Sequence, residues 1–451
     1  MKQLQVTGRG RLGESQPLKA VMKAAADALA AVNPSTLIKT HVKRKRNTLI
    51  VDGRKISLKQ FSDIVVLAAG KAAVPMASAM LELLKGFSVR GVVVVPRGVE
   101  ATGLRPLEVV HGGHPSPDAG SLRAAEKILQ HAAECSPTSL AFVLVSGGSS
   151  ALMTLPADGL TLEDKRKVTE ELLRAGAIIH EINTVRKHLS KIKGGMLAKT
   201  LNCTTISLIL SDVVGDRVDV IGSGPTAPDP TTYRDAYNIL RRHGVEATEN
   251  VWRRLESGIQ GRIPETPKPG DPCFRKVTNI VVGGNVDAVK AAATSMRKNG
   301  FHVLALTSGL TGEAREVAKL FAALAWDITM HKIPLRKPAA VVAGGETTVT
   351  VKGAGKGGRN QELVLATAIH MQQIPHYVFA SIGTDGVDGP TDATGAAATS
   401  QTIKNALKQN INPITYLENN DSYSFFNQVG GLIKTGPTNT NVGDLIILVV
   451  S

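Results

Sequence analysis

The chain has 451 residues, of which 43% are hydrophobic and 20% charged, and its formal net charge is +15. This length predicts two or three domains, and no apolar run reaches the roughly 18 residues that a membrane-spanning helix needs. The residues at 1–15 lack the apolar core of a secretory signal, so we expect no membrane partner. Cys135, Cys203 and Cys273 fit no zinc or disulfide spacing, which favours a reducing cytoplasmic location.

The excess of basic residues raises two alternatives. One is nucleic-acid binding through the KRKR cluster at 43–46, but Asp52 and Gly53 separate two alternating segments there and predict a solvated hairpin. Aromatic residues, at 4%, are also few for stacking on bases. The other is an organellar transit peptide, against which Glu14 and Asp27 argue. An anionic small-molecule substrate explains the charge better, so we expect no nucleic-acid partner.

The N-terminal part alternates helices with apolar strands. After an Ala-rich helix and the hairpin, we predict strands at 64–69, 91–96, 142–148 and 205–212, with helices at 17–33, 72–85, 119–134, 162–179 and 181–193. Near-continuous apolar strands separated by helices predict a parallel sheet covered on both faces. A Pro-rich linker then predicts that this first domain ends near residue 262.

A second α/β series is predicted from residue 263 to 451. Its strands are expected at 279–285, 302–309, 339–353, 377–386 and 445–451, and its helices at 286–299, 312–327, 360–373 and 401–408. Glycines cluster at the strand ends, where open α/β sheets bind their ligands. The sequence therefore predicts two α/β domains with ligand sites at the carboxyl ends of strands.

The most informative segment is SIGTDGVDGPTDATGAA at 381–397, which interleaves acids and glycines. Its acids are Asp385, Asp388 and Asp392. Carboxylates suit Mg²⁺, and glycine lets the backbone approach a ligand closely. Just upstream, another glycine-rich run carries Lys356 and Arg359. Acids for a metal ion together with bases for phosphate predict phosphoryl transfer.

Two predicted strands of the N-terminal part end in glycine loops. LAAGKAAVPMA at 67–77 places Lys71 at the start of a helix, where backbone N–H groups favour anions, although a solvated lysine in an ordinary turn is the alternative. In LVSGGSSALM at 144–153, an oxyanion could be bound by Ser146, Gly147, Gly148, Ser149 and Ser150. The G-x-S-x-G motif of serine hydrolases is absent from this loop.

A basic helix is predicted in EINTVRKHLSKIKGGM at 181–196. Asn183, Lys187 and Lys191 would share one face, with Arg186 on the flank, and this row suits a carboxylate or a phosphate. The alternative is a basic helix face in contact with water.

Further polar residues follow the strand predicted at 205–212. Asp212 stands at its carboxyl end, a good place to contact a metal ion or a substrate hydroxyl. Gly224 and Thr226 lie in the polar turn that follows. No G-x-x-x-x-G-K-[ST] motif is present, and we expect no dinucleotide-binding fingerprint at a helix start, so the chain is predicted to be neither a P-loop enzyme nor a dinucleotide-binding protein.

Taken together, these motifs closely resemble the glycerate kinase family whose C-terminal part is the MOFRL domain. The motifs occur in family order from about residue 17 to the C-terminus. They are AAGKAA at 68–73, VSGGSSAL at 145–152, EINTVRKHLSKIKGG at 181–195, LILSDVVGDRVDVIGSGPT at 208–226, GGETTV at 344–349, GKGGRNQEL at 355–363, GTDGVDGPTDATGA at 383–396, NDSYSFF at 420–426 and TGPTNTNVGDLII at 435–447.

The resemblance implies a Rossmann-like N-terminal domain at 1–262, a MOFRL domain at 263–451 and an active site in the cleft between them. It implies phosphorylation of D-glycerate to 2-phosphoglycerate, with ATP as co-substrate and Mg²⁺ as cofactor. The family's active-site lysine matches Lys71 and its active-site arginine matches Arg359. Some members were once named hydroxypyruvate reductases, which is the alternative activity. The resemblance leaves open whether the protein is a monomer or a homodimer.

The remaining site predictions follow from these motifs. Asp212 is predicted to be catalytic, Asn360 to contact phosphate or substrate, and Asp385 and Asp388 to bind the metal ion. The chain departs from the family at Ser149, where a third glycine is usual. A positive φ at this position would strain the loop, but we expect Ser149 to add only a hydroxyl.

Overall fold

The computed structural model describes residues 4–8 and 15–451, which form two compact units. The parallel-sheet unit comprises residues 34–282, and the mixed-sheet unit comprises the described residues up to Asn33 together with residues 283–451. Across the described part of the chain, no helix has the length and apolar character to cross a membrane.

The parallel-sheet unit is built around a six-stranded sheet. In spatial order its strands are Val277–Gly283, Thr204–Leu210, Leu140–Val145, Ile64–Ala69, Val89–Pro96 and Glu108–Gly112. The last five of these pair in parallel. Their central strands are apolar and fully buried, as expected for a parallel sheet with both faces covered. The predicted N-terminal parallel sheet is therefore confirmed.

Helices surround this sheet, and several begin at side-chain caps. Thr161 and Asp164 form a reciprocal capping box at the start of Leu162–Arg174, which fixes where that helix begins. The α-helices of the unit are Pro34–His41, Ala73–Leu83, Ala119–Ala133, Ser149–Leu152, Leu162–Arg174, Ile179–His188, Met196–Thr200, Tyr233–Arg242 and Glu249–Ile259. Short 3₁₀ turns occur at Leu58–Gln60, Ile221–Ser223 and Pro272–Lys276.

The basic cluster at 43–46 lies in a small antiparallel sheet. Its strands are Val42–Lys45, Thr48–Val51 and Arg54–Ser57. Asp52 and Gly53 adopt positive φ in the tight turn that joins the last two strands, as the Asp-Gly pair predicts. The predicted hairpin is therefore present.

The mixed-sheet unit contains seven strands. In spatial order they are Gln5–Val6, Leu432–Lys434, Gly395–Thr399, Tyr377–Gly383, Asp444–Val450, Ala339–Gly345 and His302–Leu310. Only the last two pair in parallel; the others are antiparallel. The α-helices of the unit are Gln16–Ala31, Asn285–Lys298, Ala314–Met330, Arg359–His370, Thr402–Lys408, Pro413–Glu418 and Ser422–Val429.

The division into units differs from the boundary predicted at residue 262. Helix Gln16–Ala31 joins the mixed-sheet unit, where the Asp27 carboxylate accepts a 2.6 Å hydrogen bond from Ser295. Strand Val277–Gly283, predicted to open the second series, instead extends the six-stranded sheet. Long-range pairing decides both assignments, whereas the prediction followed the Pro-rich composition of the linker.

Candidate functional site

Two loops meet at the carboxyl ends of neighbouring strands in the parallel-sheet unit. Strands Ile64–Ala69 and Leu140–Val145 pair in parallel with Ala69 opposite Val145, so the loops that follow them emerge side by side. The backbone N–H of Lys71 donates to the Gly147 carbonyl at 2.9 Å. The N–H of Ala72 donates to the Ser146 hydroxyl at 3.0 Å. These hydrogen bonds hold the half-buried Lys71 against the second glycine loop.

Two glycines permit this close approach. Gly70 has φ +133°, and a Cβ there would lie 2.1 Å from the Ser146 hydroxyl oxygen. Gly148 has φ +84°, and a Cβ there would lie 2.9 Å from the His114 ring and 3.5 Å from Cγ of Lys71. Neither position accepts a larger residue without displacement. The structure therefore brings Lys71, His114 and Gly148 together.

Ser149, which replaces the usual glycine, is not strained. It opens helix Ser149–Leu152, and the positive φ falls on Gly148 before it. Its hydroxyl is buried near Gly222 and has no hydrogen-bond partner among the described residues. Ser149 and Ser146 thus lie inside the loop, whereas Gly148 and Ser150 reach its surface.

A cavity of about 350 Å³ opens beside this loop. Four of its side chains are basic, Lys165, Arg166, Arg186 and Lys193, and only Glu170 is acidic. The other lining residues are His114, Pro115, Ser116, Pro117, Gly148, Ser150, Ala151, Thr154, Thr169 and Leu173. We call this space the cationic cavity. Its charge suits an anionic ligand.

A chain of hydrogen bonds connects the cationic cavity to the protein interior. Lys193 Nζ donates to the carbonyl (2.5 Å) and the hydroxyl (3.1 Å) of Ser150. The Ser150 hydroxyl lies 2.8 Å from that of Ser223, which donates to Asn183 Oδ1 at 3.0 Å. Burial and the nearby cations lower the pKa of Lys193 well below its ordinary value. Two predicted residues, Ser150 and Asn183, therefore belong to one network.

The prediction that Asn183, Lys187 and Lys191 share one helix face is wrong. The helix ends at His188, so Lys191 lies beyond it and pairs with the exposed Asp158. Lys187 points inward and forms a buried ion pair with Asp229 at 3.2 Å. Helical periodicity does not apply to Lys191, because the chain leaves the helix after His188.

Arg186, on that same helix, does line the cationic cavity. Burial lowers the pKa of its guanidinium group, and none of the described residues accepts a hydrogen bond from it. A half-buried cation in this situation is available to an anion in the cavity.

Lys165 is a member of this cavity that the sequence did not reveal. It is buried, and its Nζ donates to the carbonyls of Arg186 (3.2 Å) and Leu189 (2.9 Å). Burial, with Arg186 and Arg254 acting in the same direction, lowers its pKa to about 7. Only the packing of helix Leu162–Arg174 beside Ile179–His188 brings it here.

The residues that follow strand Thr204–Leu210 divide into two groups. Asp212 lies half-buried just past the strand end. Thr226 is buried and donates to Ser207 (3.1 Å) and Asn279 (2.7 Å), which joins the edge strand to its neighbour. The carbonyl of Gly224 accepts from the Gly195 N–H at 2.8 Å. The contacts of Gly224 and Thr226 are those of structural residues.

In the mixed-sheet unit, Arg359 opens helix Arg359–His370 and is held by two acids. Asp444 accepts from its Nε at 2.7 Å and from Nη2 at 3.0 Å, and Glu346 accepts from Nη1 at 2.8 Å. Burial alone would lower the pKa of Arg359, but Asp444 and Glu346 raise it above its ordinary value. The guanidinium group is therefore permanently charged and fixed in direction.

Asn360 and Asp388 lie beside this ion pair. The Asp388 carboxylate accepts from the backbone N–H groups of Asn360 (3.0 Å) and Gln361 (2.9 Å) and from both of their side-chain amides. Burial outweighs these hydrogen bonds and raises the pKa of Asp388 to about 6. Asn360 also donates to Asp444 at 3.0 Å. These contacts favour a role at the helix N-terminus for Asp388 over metal binding.

The other two acids of the 381–397 segment are separated. Asp385 is half-buried, and its carboxylate accepts from the Val387 N–H at 3.1 Å. Asp392 is exposed and pairs with Lys434 at 2.7 Å and Tyr423 at 2.8 Å. Within residues 4–8 and 15–451, no three His, Cys, Asp or Glu side chains form a metal-binding cluster. Asp385 is thus the acid of this segment best placed to contact a ligand.

Comparison with known families and proteins gives consistent results. The family described as Domain of unknown function (DUF4147) matches residues 20–256, and the MOFRL family matches residues 339–444. A Thermotoga maritima protein named D-glycerate 2-kinase is 42% identical over 85% of this chain and 90% of its own length. An Agrobacterium vitis relative, 38% identical over 86% of this chain and 87% of its own, carries the provisional name hydroxypyruvate reductase.

A solved structure shares the fold. The crystal structure of glycerate kinase from Thermotoga maritima superimposes with a TM-score of 0.84 at 37% identity, covering 96% of this chain and 99% of that one. At this identity and coverage, the likeness extends to both units.

Proposed function

The chain belongs to the family defined by the DUF4147 and MOFRL domains, and we propose that it is a D-glycerate 2-kinase. It transfers the γ-phosphoryl group of ATP to the C2 hydroxyl of D-glycerate. The extensive identity to a protein named for this activity carries the proposal. The site chemistry agrees, because phosphoryl transfer needs positioned cations more than it needs a covalent nucleophile.

Lys71 and Arg359 neutralise charge on the reacting groups in this proposal. Lys71 lies at the N-terminus of helix Ala73–Leu83, where its ammonium group adds to the backbone N–H groups. Arg359 keeps its charge because Asp444 and Glu346 surround it. The cationic cavity binds an anionic group of the substrates through Arg186 and Lys193, and Asp212 contacts the reacting hydroxyl.

Magnesium is part of the same proposal. Mg²⁺ in kinases takes one or two carboxylates and completes its shell with phosphate oxygens and water, so a three-acid cluster is unnecessary. Asp385 fits this requirement, whereas the Asp388 carboxylate already accepts hydrogen bonds from the helix N-terminus. The ion would shield charge on the transferred phosphoryl group.

The remaining elements of the proposal concern partners and location. The substrates are D-glycerate and ATP, the location is cytoplasmic, and neither nucleic acid nor membrane is a partner. Hydroxypyruvate reduction is the second candidate because of the Agrobacterium vitis name. A reductase of this kind needs a dinucleotide. The G-x-G-x-x-G spacing does occur, at 8–13 and at 353–358, but neither run follows a strand of the parallel six-stranded sheet, where a dinucleotide-binding fingerprint is expected.

Lys71→Ala should abolish most activity and leave the protein folded, because Lys71 is half-buried at a loop surface. Losing a contact to a phosphoryl oxygen costs about 3–4 kcal/mol of transition-state stabilisation, or ~10²–10³ in rate. Steady-state kinetics and a thermal melt measure both effects, with the exposed Lys55→Ala as control.

Arg359→Ala should lose activity similarly but also lower the melting temperature, since it leaves the buried Asp444 unpaired. Near-normal turnover in either folded variant would remove that residue from the site.

Asp385→Asn should raise the Mg²⁺ concentration needed for half-maximal activity more than it raises KM for D-glycerate. The amide keeps the shape of the side chain but removes the charge that a hard cation prefers. Titrating Mg²⁺ and glycerate separately measures the two effects, and the exposed Asp392→Asn serves as the control. If only glycerate affinity falls, Asp385 binds the substrate hydroxyl instead.

The product should be 2-phosphoglycerate. A cavity that anchors the carboxylate leaves the adjacent C2 hydroxyl nearest to that anchor, and a shift of one carbon is enough to exclude the other hydroxyl. An assay coupled through enolase responds directly to 2-phosphoglycerate. A signal that appears only after phosphoglycerate mutase is added would show that the product is 3-phosphoglycerate instead. No signal from either assay would contradict the kinase proposal.

A further inference from the structure

Lys165 stands out among the buried groups because it is a lysine whose partners are backbone carbonyls. Its Nζ donates to the carbonyls of Arg186 and Leu189. These carbonyls lie at the end of helix Ile179–His188, where the last C=O groups lack helical partners. A cation there satisfies them and opposes the negative end of the helix dipole.

The hydrogen bond from Lys165 to Arg186 connects Lys165 to the lining of the cationic cavity. Lys165 bonds to the main chain of Arg186, the residue whose guanidinium group lines the cavity. The loop that continues from Leu189 carries Lys193, which also lines it. Lys165 therefore fixes the segment that presents both of these cations.

We propose that Lys165 is a positioning residue for the anion bound in the cationic cavity, and that it takes up a proton when the anion binds. The inference rests on the proposed function for the identity of that anion, a carboxylate or a phosphoryl group. No covalent bond forms between protein and ligand: the amine nitrogen takes one proton from solvent or buffer and becomes an ammonium group.

The charges around Lys165 determine the direction of this coupling. Arg186 and Lys193 face it from the helix end and the following loop, and Arg254 faces it from helix Glu249–Ile259. Arg166 and Glu170 share the cavity wall with it. The cations outnumber the single acid, so without a ligand the neutral amine is favoured above about pH 7. A bound anion reverses this balance and favours the ammonium form.

The pH dependence of anion binding follows, because a bound anion favours the ammonium form of Lys165. With a pKa of about 7, Lys165 is charged below neutrality and the cavity binds anions best there. As pH rises above 7, binding must include protonation of the amine. Affinity should then fall, by up to about tenfold per pH unit. Glycerate is a suitable probe because its carboxylate is fully ionised throughout this range.

Calorimetric titration of the full-length protein with D-glycerate and, separately, with inorganic sulfate tests the proposal. Each is run between pH 6.5 and 8.5 in buffers of different ionisation enthalpy, which reveals proton uptake. Uptake with glycerate identifies a carboxylate site, and uptake with sulfate alone identifies a phosphoryl site. Binding without uptake by either ligand would overturn the proton coupling.

Variants separate positioning from general structural damage. Lys165→Met should raise KM for the anionic substrate by about tenfold, change kcat less and flatten the pH dependence. Lys165→Arg should restore affinity without proton uptake, since arginine stays charged. Lys167→Met, an exposed change on the same helix, should resemble wild type. A Lys165→Met enzyme with unaltered KM and pH profile would refute the role. Kinase activity of the wild-type protein is scored independently, so either proposal can fail alone.

Discussion

The parallel pairing of strands Ile64–Ala69 and Leu140–Val145 is the constraint on which the candidate site depends. Their matched register ends both strands at the same level, so the two glycine loops meet and Lys71 hydrogen-bonds to Gly147. Gly70 makes this contact possible, because any side chain there would collide with Ser146. The sheet thus sets the position of the lysine, and the loop glycines set how closely other groups approach it.

The cationic cavity beside these loops has more basic than acidic side chains. Lys165 and Lys193 are buried, Arg186 is half-buried, and Glu170 is the single acid of the lining. Burying cations without matched acids costs stability, and an anion offsets that cost. In the mixed-sheet unit the arrangement is the opposite, because Arg359 is fully engaged by Asp444 and Glu346. The parallel-sheet unit therefore presents cations that a ligand can contact, whereas in the mixed-sheet unit the cation Arg359 is fixed by two acids.

Features at strand ends could be predicted from the sequence, because apolar strands and glycine loops are local patterns. Lys71 and the loop at 146–150 lie at neighbouring strand ends, where these patterns place them. The placement of Lys191 failed because helical periodicity alone does not show that the helix stops at His188. Local patterns do not reveal Lys165 and Asp444, because tertiary packing brings each to a partner on another element.

The central claim is that the cationic cavity of the parallel-sheet unit binds the anionic group of the substrate. A crystal structure of the protein with D-glycerate tests it most directly. The account predicts the glycerate carboxylate in this cavity, within hydrogen-bonding distance of Arg186 or Lys193. Glycerate bound elsewhere in an otherwise ordered complex, with the cavity holding only water, would contradict it.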